Sequence, residues 1–288
     1  MSSYDIRALS SAEFPPLLAE IPQPPTALWA AGNLPPGELK LLAVVGSRKY
    51  TSYGKQVVEH LLSGLAGYNV GIVSGLALGI DALAHEAALA HGLYTIAVPG
   101  SGLAESILYP RANRRLALQI LNNGGGLLSE LPPTTSAATW TFPQRNRIMA
   151  GMSHATLLVE AGEKSGTLIT ARMAVDYNRE LLAVPGSIFS KTSLGTHQFI
   201  KLGATPVTTA EDILAVLGID IADPDEALPR PTLSNAEQLV LSHLSEPTDR
   251  DRLIRALNLD IPTANIILMQ MEMQGYISLD SNIYTAKI

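Results

Sequence analysis

Six short apolar segments that alternate with longer amphipathic stretches constrain the fold of this chain more than any other feature. Each segment has the length and nearly continuous apolarity of a parallel strand that is buried on both faces. The segments are residues 41–45, 70–74, 94–98, 126–130, 155–159 and 180–184. Helices are predicted around them at about 54–66, 79–91, 111–123, 166–178 and 193–202. The alternation predicts an α/β fold, a doubly wound, mostly parallel Rossmann-like sheet.

The residues on either side of this pattern predict a division into four parts. Residues 1–40 contain seven prolines, which remove amide donors and prevent long helices, so we expect a leader that packs on the core through Leu28 and Trp29. Residues 41–218 form the Rossmann-like domain. Residues 219–232 are acidic and rich in proline, which is typical of an exposed linker.

The last part, residues 233–288, has the pattern of a small winged-helix domain. Helices are predicted at about 234–244, 249–257 and 262–274, followed by a β-ribbon around 275–286. The third helix would enter a major groove, yet it contains no lysine or arginine, which argues against direct base reading. Its apolar side chains are interpreted as core, with a soft interaction face as the alternative: Ile266, Ile267, Met269, Met271 and Met273.

Composition excludes several classes of protein. The 288 residues are 47% hydrophobic and 16% charged, which is enough apolar material for a full core. No apolar run is long enough to cross a bilayer and the first residues do not form a signal peptide, so we expect a cytoplasmic protein without membrane contact. Because cysteine is absent and the six histidines show no paired-ligand spacing, no metal site and no cofactor is expected.

The formal net charge of −6 is unevenly distributed along the chain. Residues 1–40 carry −2, residues 220–231 carry −3 and residues 232–288 carry −3, whereas residues 41–219 carry 13 Lys and Arg against 11 Asp and Glu. Any site for a polyanion is therefore expected in the middle section.

Glycine-rich loops follow the first two predicted strands, where an open parallel sheet binds its ligands. Gly46, Ser47 and Arg48 follow the first strand, and Ser74 and Gly75 end the second. Glycine lets a backbone approach an anion, amides at a helix N-terminus bind its oxygens, and arginine binds phosphate in a bidentate manner. Taken alone, each loop is as consistent with an ordinary tight turn as with a ligand site, but two such loops side by side favour a ligand site.

Two further segments carry suitable chemistry. The segment 141–147 is expected to be a loop that leads into an apolar helix beginning at Ile148. Its Phe142, Arg145, Asn146 and Arg147 combine a face for base stacking with charge for phosphates, although these arginines can also be surface ion-pair residues and Phe142 a core residue. The segment Lys164-Ser165-Gly166-Thr167 precedes a helix and has the composition of an anion-binding nest, although helix capping alone would explain its hydroxyls.

Several catalytic signatures are missing. The glycine loops spell neither GxGxxG nor GxxxxGK[ST], and no GxSxG is present, so a dinucleotide, a P-loop hydrolysis or a serine nucleophile is not indicated. Asp81 and His85 lie four residues apart on one helical face and could form an acid and base pair, but a buried hydrogen-bonded pair is favoured. No catalytic residue is assigned.

At these residues the chain resembles the DNA-processing protein A family, also called DprA or Smf. The resemblance spans roughly residues 10–218 and continues in the winged helix. It is carried by five motifs: VGSRKYTSYG (45–54), SGLALGIDALAH (74–85), FPQRNRIMAGMS (142–153), VEAGEKSGTLITAR (159–172) and AVPGS (183–187).

The resemblance implies a non-enzymatic mediator that binds single-stranded DNA, protects it and promotes loading of the RecA recombinase during transformation and recombination. It also implies a homodimer, with 199–217 as a candidate face, and single-strand-binding protein as a further partner. The family's phosphate pocket falls on Gly46, Ser47 and Arg48, on Ser74 and Gly75, on Arg145-Asn146-Arg147, and on Ser165, Gly166 and Thr167, with Lys164 beside them. A helical domain that precedes the leader in longer members is not found here, which puts any activity of that domain in doubt.

An enzyme of the phosphoribohydrolase type is the alternative interpretation. Such enzymes resemble this fold and use a PGGxGTxxE loop, in which the final acid assists cleavage of an N-glycosidic bond. The corresponding stretch here reads GEKSGTLIT and places Leu168, Ile169 and Thr170 where that acid is needed. A transcription regulator built on the winged helix is a third interpretation, which the acidic charge of that domain disfavours.

Overall fold

The computed structural model describes residues 4–163, 165–220, 235–244, 246–257, 259–273, 276–280 and 282–286. The chain divides into two compact units, Met1–Ile221 and Ala222–Ile288. Lys164 and most of the predicted linker lie outside the described residues.

A sheet of nine strands forms the centre of the first unit. Its strands are β1 (Arg7–Ala8), β2 (Trp29–Gly32), β3 (Lys40–Val45), β4 (Val70–Ser74), β5 (Tyr94–Ala97), β6 (Gly126–Ser129), β7 (Ala155–Leu158), β8 (Glu180–Ala183) and β9 (Thr205–Pro206). Their order in the sheet is β1-β2-β6-β5-β4-β3-β7-β8-β9. The strands from β6 to β9 are parallel, and β1 and β2 add an antiparallel edge. The predicted doubly wound, mostly parallel sheet is confirmed.

Seven α-helices are described in this unit, and they cover both faces of the sheet. They are α1 (Ser52–Ser63), α2 (Ile80–Ala90), α3 (Arg114–Asn122), α4 (Thr141–Met152), α5 (Thr167–Asp176), α6 (Leu194–Lys201) and α7 (Ala210–Leu217). Adjacent residues of β3 point to opposite faces, so Leu42 packs in the cluster beneath α1 and α2, whereas Ala43 packs in the cluster beneath α4 and α5. This double burial explains the continuous apolarity of the strand segments.

Helix α4 begins earlier than the sequence pattern indicates. The polar stretch after Thr141 is predicted to be a loop that leads into a helix at about Ile148, but the structure is helical from Thr141. Pro143 is compatible with this because the first turn of a helix does not need its amide hydrogen. The buried face of α4 is supplied by Arg145, Ile148, Met149 and Met152.

The leader is part of the sheet and not only a segment packed on it. Leu28 is buried and Trp29 half-buried, as expected, but Trp29 belongs to β2, which pairs with β6. Further back, Leu18 and Ile21 are buried against α4. Arg179 fixes the same segment by donating to the carbonyl of Leu17 at 2.9 Å and pairing with Glu20 at 2.8 Å.

The second unit has the winged-helix composition that the sequence predicts. It contains α8 (Asn235–Ser242), α9 (Arg250–Ala256) and α10 (Ile261–Met273), with a three-stranded sheet of β10 (Thr248–Asp249), β12 (Ile283–Ala286) and β11 (Ile277–Asp280). Met271 is buried, whereas Ile266 and Met269 are 58% and 64% exposed, so α10 has both a core face and an exposed apolar face. In the part of the chain that the structure describes, no helix has the length and apolarity needed to span a bilayer.

His85 is a buried polar residue on the face of α2 that packs against the sheet. Its Nδ1 lies 2.7 Å from the hydroxyl of Thr95 on β5, and Asp81 bonds elsewhere, so the two residues predicted as a pair have separate partners. Burial lowers the pKa of His85 to about 3. The folded protein therefore holds His85 neutral at a pH where the unfolded chain binds a proton.

Acidification should therefore destabilise the fold through His85. Its pKa is lowered by folding, so the stabilisation is present above about pH 6.5 and is lost as the pH falls towards 3, at about 1.4 kcal/mol per pH unit for one proton. We expect His85→Gln, which does not titrate, to lose about 2 kcal/mol less than the wild type between pH 7 and pH 5. Urea denaturation followed by tryptophan fluorescence measures the free energy of unfolding of both proteins at each pH. If that free energy falls equally in the wild type and in His85→Gln between pH 7 and pH 5, the prediction is contradicted.

Candidate functional site

A cavity of about 440 Å³ opens at the carboxyl end of β3. The strand order reverses at this strand, because β4, β5 and β6 follow on one side and β7 and β8 on the other. Such a reversal leaves a crevice between the loops that leave in opposite directions. The cavity is lined by Gly46, Ser47, Arg48, Lys49, Asp81, Phe142, Pro143, Arg145, Asn146, Ser165, Gly166, Thr167 and neighbouring residues.

The loop after β3 presents two exposed cations, Arg48 and Lys49. The hydroxyl of Ser47 shapes this loop, since it accepts from the amide of Lys49 at 3.0 Å and donates to the carbonyl of the same residue at 2.8 Å. Gly46 is buried, and a side chain there would collide with Ile80 of α2. Gly46 therefore permits α2 to pack closely against the end of β3, next to the cavity.

Phe142, in the first turn of α4, forms an aromatic wall. The guanidinium carbon of Arg48 lies 5.2 Å from the centre of its ring, a cation–π distance. On the other side, the ring of Tyr109 lies 5.6 Å away and is tilted by 54°. Arg48 and Phe142 line the cavity, and Tyr109 lies next to them in a small adjoining pocket.

Arg145 is a buried cation in the cavity wall, with only 7% of the residue exposed. Its Nη1 donates to the carbonyl of Val98 at 2.6 Å. The guanidinium occupies the space that a side chain at position 75 would need, so Gly75 is required for its placement. Burial lowers the pKa of Arg145 to about 10, opposed by the charge of Asp81, and the residue is still protonated at neutral pH.

Asp81 partly offsets the positive charge of the cavity. Its carboxylate accepts from the amide of Gly75 at 3.1 Å and is buried. Burial raises the pKa of Asp81, and the charge of Arg145 acts in the opposite direction. Among the described lining residues, Arg48, Lys49 and Arg145 are cations and Asp81 is the one acidic group, so the charge balance is positive.

The N-terminus of α5 faces the same cavity. Thr167 begins the helix, its amide bonds the hydroxyl of Ser165, and its own hydroxyl donates to the carbonyl of Gly46 at 3.0 Å. Apart from its chain neighbours, no atom of the described residues lies within 4 Å of the position that a side chain at Gly166 would occupy, which leaves the first turn open to that extent. The partial positive charge of a helix N-terminus adds to the cations opposite.

The structure brings together nine of the thirteen predicted site residues in this cavity: Gly46, Ser47, Arg48, Phe142, Arg145, Asn146, Ser165, Gly166 and Thr167. Ser74 and Gly75 lie beneath it, because the Ser74 hydroxyl is buried and donates to the carbonyl of Val44 at 2.7 Å. Lys164 lies outside the described residues. Sequence reasoning did not single out Lys49, whose signal was its position beside Arg48 in a strand-tip loop.

Arg147 differs from the sequence expectation, because it does not line the cavity. Two residues after Arg145 on a helix, it points away and pairs with Glu130, while also donating to the carbonyl of Gln23. Only about a tenth of either charged side chain is exposed. Arg147 thus holds the leader and the end of β6 together, which is the ion-pair interpretation that the sequence left open.

No group of three or more His, Asp or Glu side chains among the described residues is placed to hold a metal ion. The fold and the cavity define a class: a Rossmann-like protein with a positively charged cavity at its topological switch point, and a winged-helix domain that follows it in the chain. The family model of DNA recombination-mediator protein A matches residues 5–218, and that of the DprA winged helix domain matches residues 224–279. The chain belongs to the DNA recombination-mediator protein A family.

Individual relatives agree with this assignment. The chain is 37% identical to protein Smf of Escherichia coli, over 92% of this chain and 72% of that protein. The solved structure of DNA processing protein A from Streptococcus pneumoniae superposes with a TM-score of 0.68 at 41% identity, covering 73% of this chain and 74% of that one. DNA processing protein A of Helicobacter pylori, whose structure is described as showing its single-stranded DNA binding mode, gives 0.66 at 27% identity, covering 75% and 98%.

Arg147→Ala should lower the free energy of unfolding, and it should leave the lining of the cavity beside β3 unchanged. Removal of this guanidinium leaves the carboxylate of Glu130 nearly buried without its partner, which costs about 3 kcal/mol or more. We expect a lower urea midpoint, and partial recovery in the double variant Arg147→Met with Glu130→Gln, where no buried charge is left alone. An unchanged midpoint in the single variant would show that the ion pair has no structural role.

Proposed function

We propose that this protein binds single-stranded DNA at the cavity beside β3 and acts as a non-enzymatic mediator of recombination. The observation that carries the proposal is the juxtaposition of three cations and an open helix N-terminus with the half-buried aromatic wall of Phe142. The first set matches a phosphate and the second matches an unpaired base. A ligand that offers both groups at this spacing is a nucleic acid strand.

The phosphate part of the interaction rests on Arg48, Lys49 and the first turn of α5. Arg48 is exposed and can present its planar donors to a phosphate, and Lys49 adds a second mobile charge. Buried Arg145 contributes its charge to the field of the cavity, since its Nη1 is already bonded to Val98. Asn146 and the Ser165 to Thr167 turn supply neutral donors.

The aromatic part favours a single strand over a duplex. Stacking on Phe142 or Tyr109 needs the face of a base, and that face is covered by neighbouring pairs in a duplex. Backbone contacts carry no base information, so affinity should be nearly independent of sequence at this cavity and should fall steeply with salt.

The relatives support the biological role. The family is that of a recombination mediator, and a structural neighbour is described as a single-stranded DNA binder. We extend this to the present chain as a cytoplasmic homodimer that protects single strands taken up or exposed in the cell and promotes RecA loading, with single-strand-binding protein as a further partner. A RecA ATPase assay on DNA covered by single-strand-binding protein tests the extension, and no stimulation by the protein would refute it.

Arg48→Ala should weaken binding of oligo-dT and also flatten its salt dependence. Each phosphate contact to a single strand contributes about 0.7 to the slope of log affinity against log salt concentration, so loss of one contact should reduce the slope by about that amount. Fluorescence anisotropy at several salt concentrations measures both quantities.

Arg172→Ala is the matched control for this experiment. Arg172 is also an exposed arginine, but it lies on α5 beyond the cavity and lines none of the β3 site. The control should keep the wild-type affinity and slope. Equal loss in both variants would mean that net charge and not the cavity governs binding.

The protein should not release adenine from AMP. Asp81 is the one carboxylate among the described cavity residues, and it is buried and bonded to the amide of Gly75. Leu168, Ile169 and Thr170 occupy the positions where the phosphoribohydrolase loop needs its acid. Chromatography of AMP after incubation with the protein checks this, and free adenine above a heat-treated control would favour the enzymatic alternative.

A further inference from the structure

A second cavity of about 460 Å³ lies at the same edge of the sheet, next to the tips of β7 and β8. Its walls include Thr51, Tyr53, Glu160, Gly186, Ser190 and Ser193, and it shares no lining residue with the cavity beside β3. Because β7 pairs directly with β3, the two cavities lie beside adjacent strand tips, and adjacent strands are about 5 Å apart. A DNA strand that is bound at the first cavity can therefore also reach the second cavity.

Glu160 gives the second cavity an unusual chemical character. The residue is only 2% exposed, and no ion pair to it is found among the described residues. It accepts hydrogen bonds from the amide of Thr51 at 3.0 Å, the hydroxyl of Thr51 at 2.6 Å and the hydroxyl of Thr192 at 3.2 Å. A carboxylate has about four acceptor positions, so these three bonds leave one unused on a residue that lines the cavity.

This arrangement selects against a phosphate and for an N–H donor. A buried carboxylate repels an anion, so the second cavity does not repeat the chemistry of the first. The surrounding hydroxyls of serine and threonine can donate as well as accept, and they suit a neutral polar ligand. A nucleobase with an amino group is such a ligand, and acidic side chains accept from the amino group of cytosine.

One aromatic side chain, Tyr53, lines this cavity, and a second, Phe189, belongs to the turn between its lining residues Ser187 and Ser190. Tyr53 is 46% exposed, and its position is fixed because its hydroxyl donates to the carbonyl of Pro185 at 2.6 Å. The turn from Ser187 to Ser190 is closed by a backbone hydrogen bond of 3.0 Å, and it carries Ile188 and Phe189 at its tip. Phe189 is 91% exposed, so its ring is accessible to a ligand.

From these observations we propose that the second cavity is a nucleobase subsite, in which Glu160 accepts from the amino group of a base while Tyr53 and Phe189 supply stacking faces. The proposal rests on the proposed binding of single-stranded DNA at the neighbouring cavity. It adds a property that the first cavity lacks, namely a preference for cytosine over thymine at one position of the strand. Thymine presents carbonyl oxygens where cytosine presents its amino group, and a carboxylate repels them.

Competition between labelled oligo-dC and oligo-dT of equal length tests the subsite. We expect the wild type to bind oligo-dC roughly tenfold more tightly or more, the effect of one hydrogen bond to a charged group. Glu160→Gln should abolish or reverse this preference, because the amide nitrogen can donate to the carbonyl of thymine. A preference unchanged by Glu160→Gln in the folded variant would overturn the role of the carboxylate.

Phe189→Ala keeps the proposal testable if Glu160→Gln does not fold, since this exposed side chain is not needed for packing. It should lower affinity for both oligonucleotides about fivefold or more, the effect of losing one stacked base. Val175→Ala is the matched control, because Val175 is also an exposed apolar residue and lies at the far end of α5. The control should behave as the wild type.

The outcomes separate this proposal from the function on which it rests. If neither oligonucleotide binds, or if Arg48→Ala has no effect, the proposed function fails. If both bind and Arg48→Ala weakens both, but the ratio is one and Phe189→Ala changes nothing, only the subsite is overturned. A change of sedimentation without a change of DNA affinity in Phe189→Ala would identify the turn as a protein contact and would likewise overturn it.

Discussion

Burial of both faces of a parallel sheet is the constraint on which the rest of this structure depends. Strands such as β3 place Leu42 and Ala43 in two different apolar clusters, so helices must cover both sides. Every βα connection then leaves from the same edge, and the change of direction at β3 opens that edge between two sets of loops. The cavity and its neighbour beside β7 both follow from this arrangement, because residues of the loops that follow these strand tips line both of them.

Charge is segregated within the first cavity by depth. Arg48 and Lys49 are exposed at the mouth, whereas Arg145 and Asp81 are buried in the wall. These two buried residues contribute to the electrostatic potential in the cavity. They also fix the loop after β4, since Arg145 fits only beside a glycine at position 75 and Asp81 accepts from the amide of Gly75. The exposed pair remains free to contact a ligand. This separation explains how a chain with a formal charge of −6 can offer a local site for a polyanion.

The two arginines of the QRNR segment show why site residues are harder to predict than strands. Sequence reasoning grouped Arg145 with Arg147, because both are close to Phe142 and both can bind phosphate. They lie two residues apart on α4, a spacing that directs them to different sides of a helix, so only Arg145 lines the cavity. The segment was predicted as a loop, for which no such rule applies. Because no helix was expected at these residues, the divergence of the two side chains was not expected either.

The sequence by itself determined the sheet, its two-sided burial, the winged-helix unit and the loops in which ligand-binding groups lie. These depend on the periodicity and composition of local segments, which are visible in one dimension. Only the tertiary structure decided that β2 pairs with β6, that Arg147 pairs with Glu130, and that the buried Glu160 lines a second cavity. Each of these depends on residues far apart in the chain, and their distances are fixed by packing and not by sequence spacing.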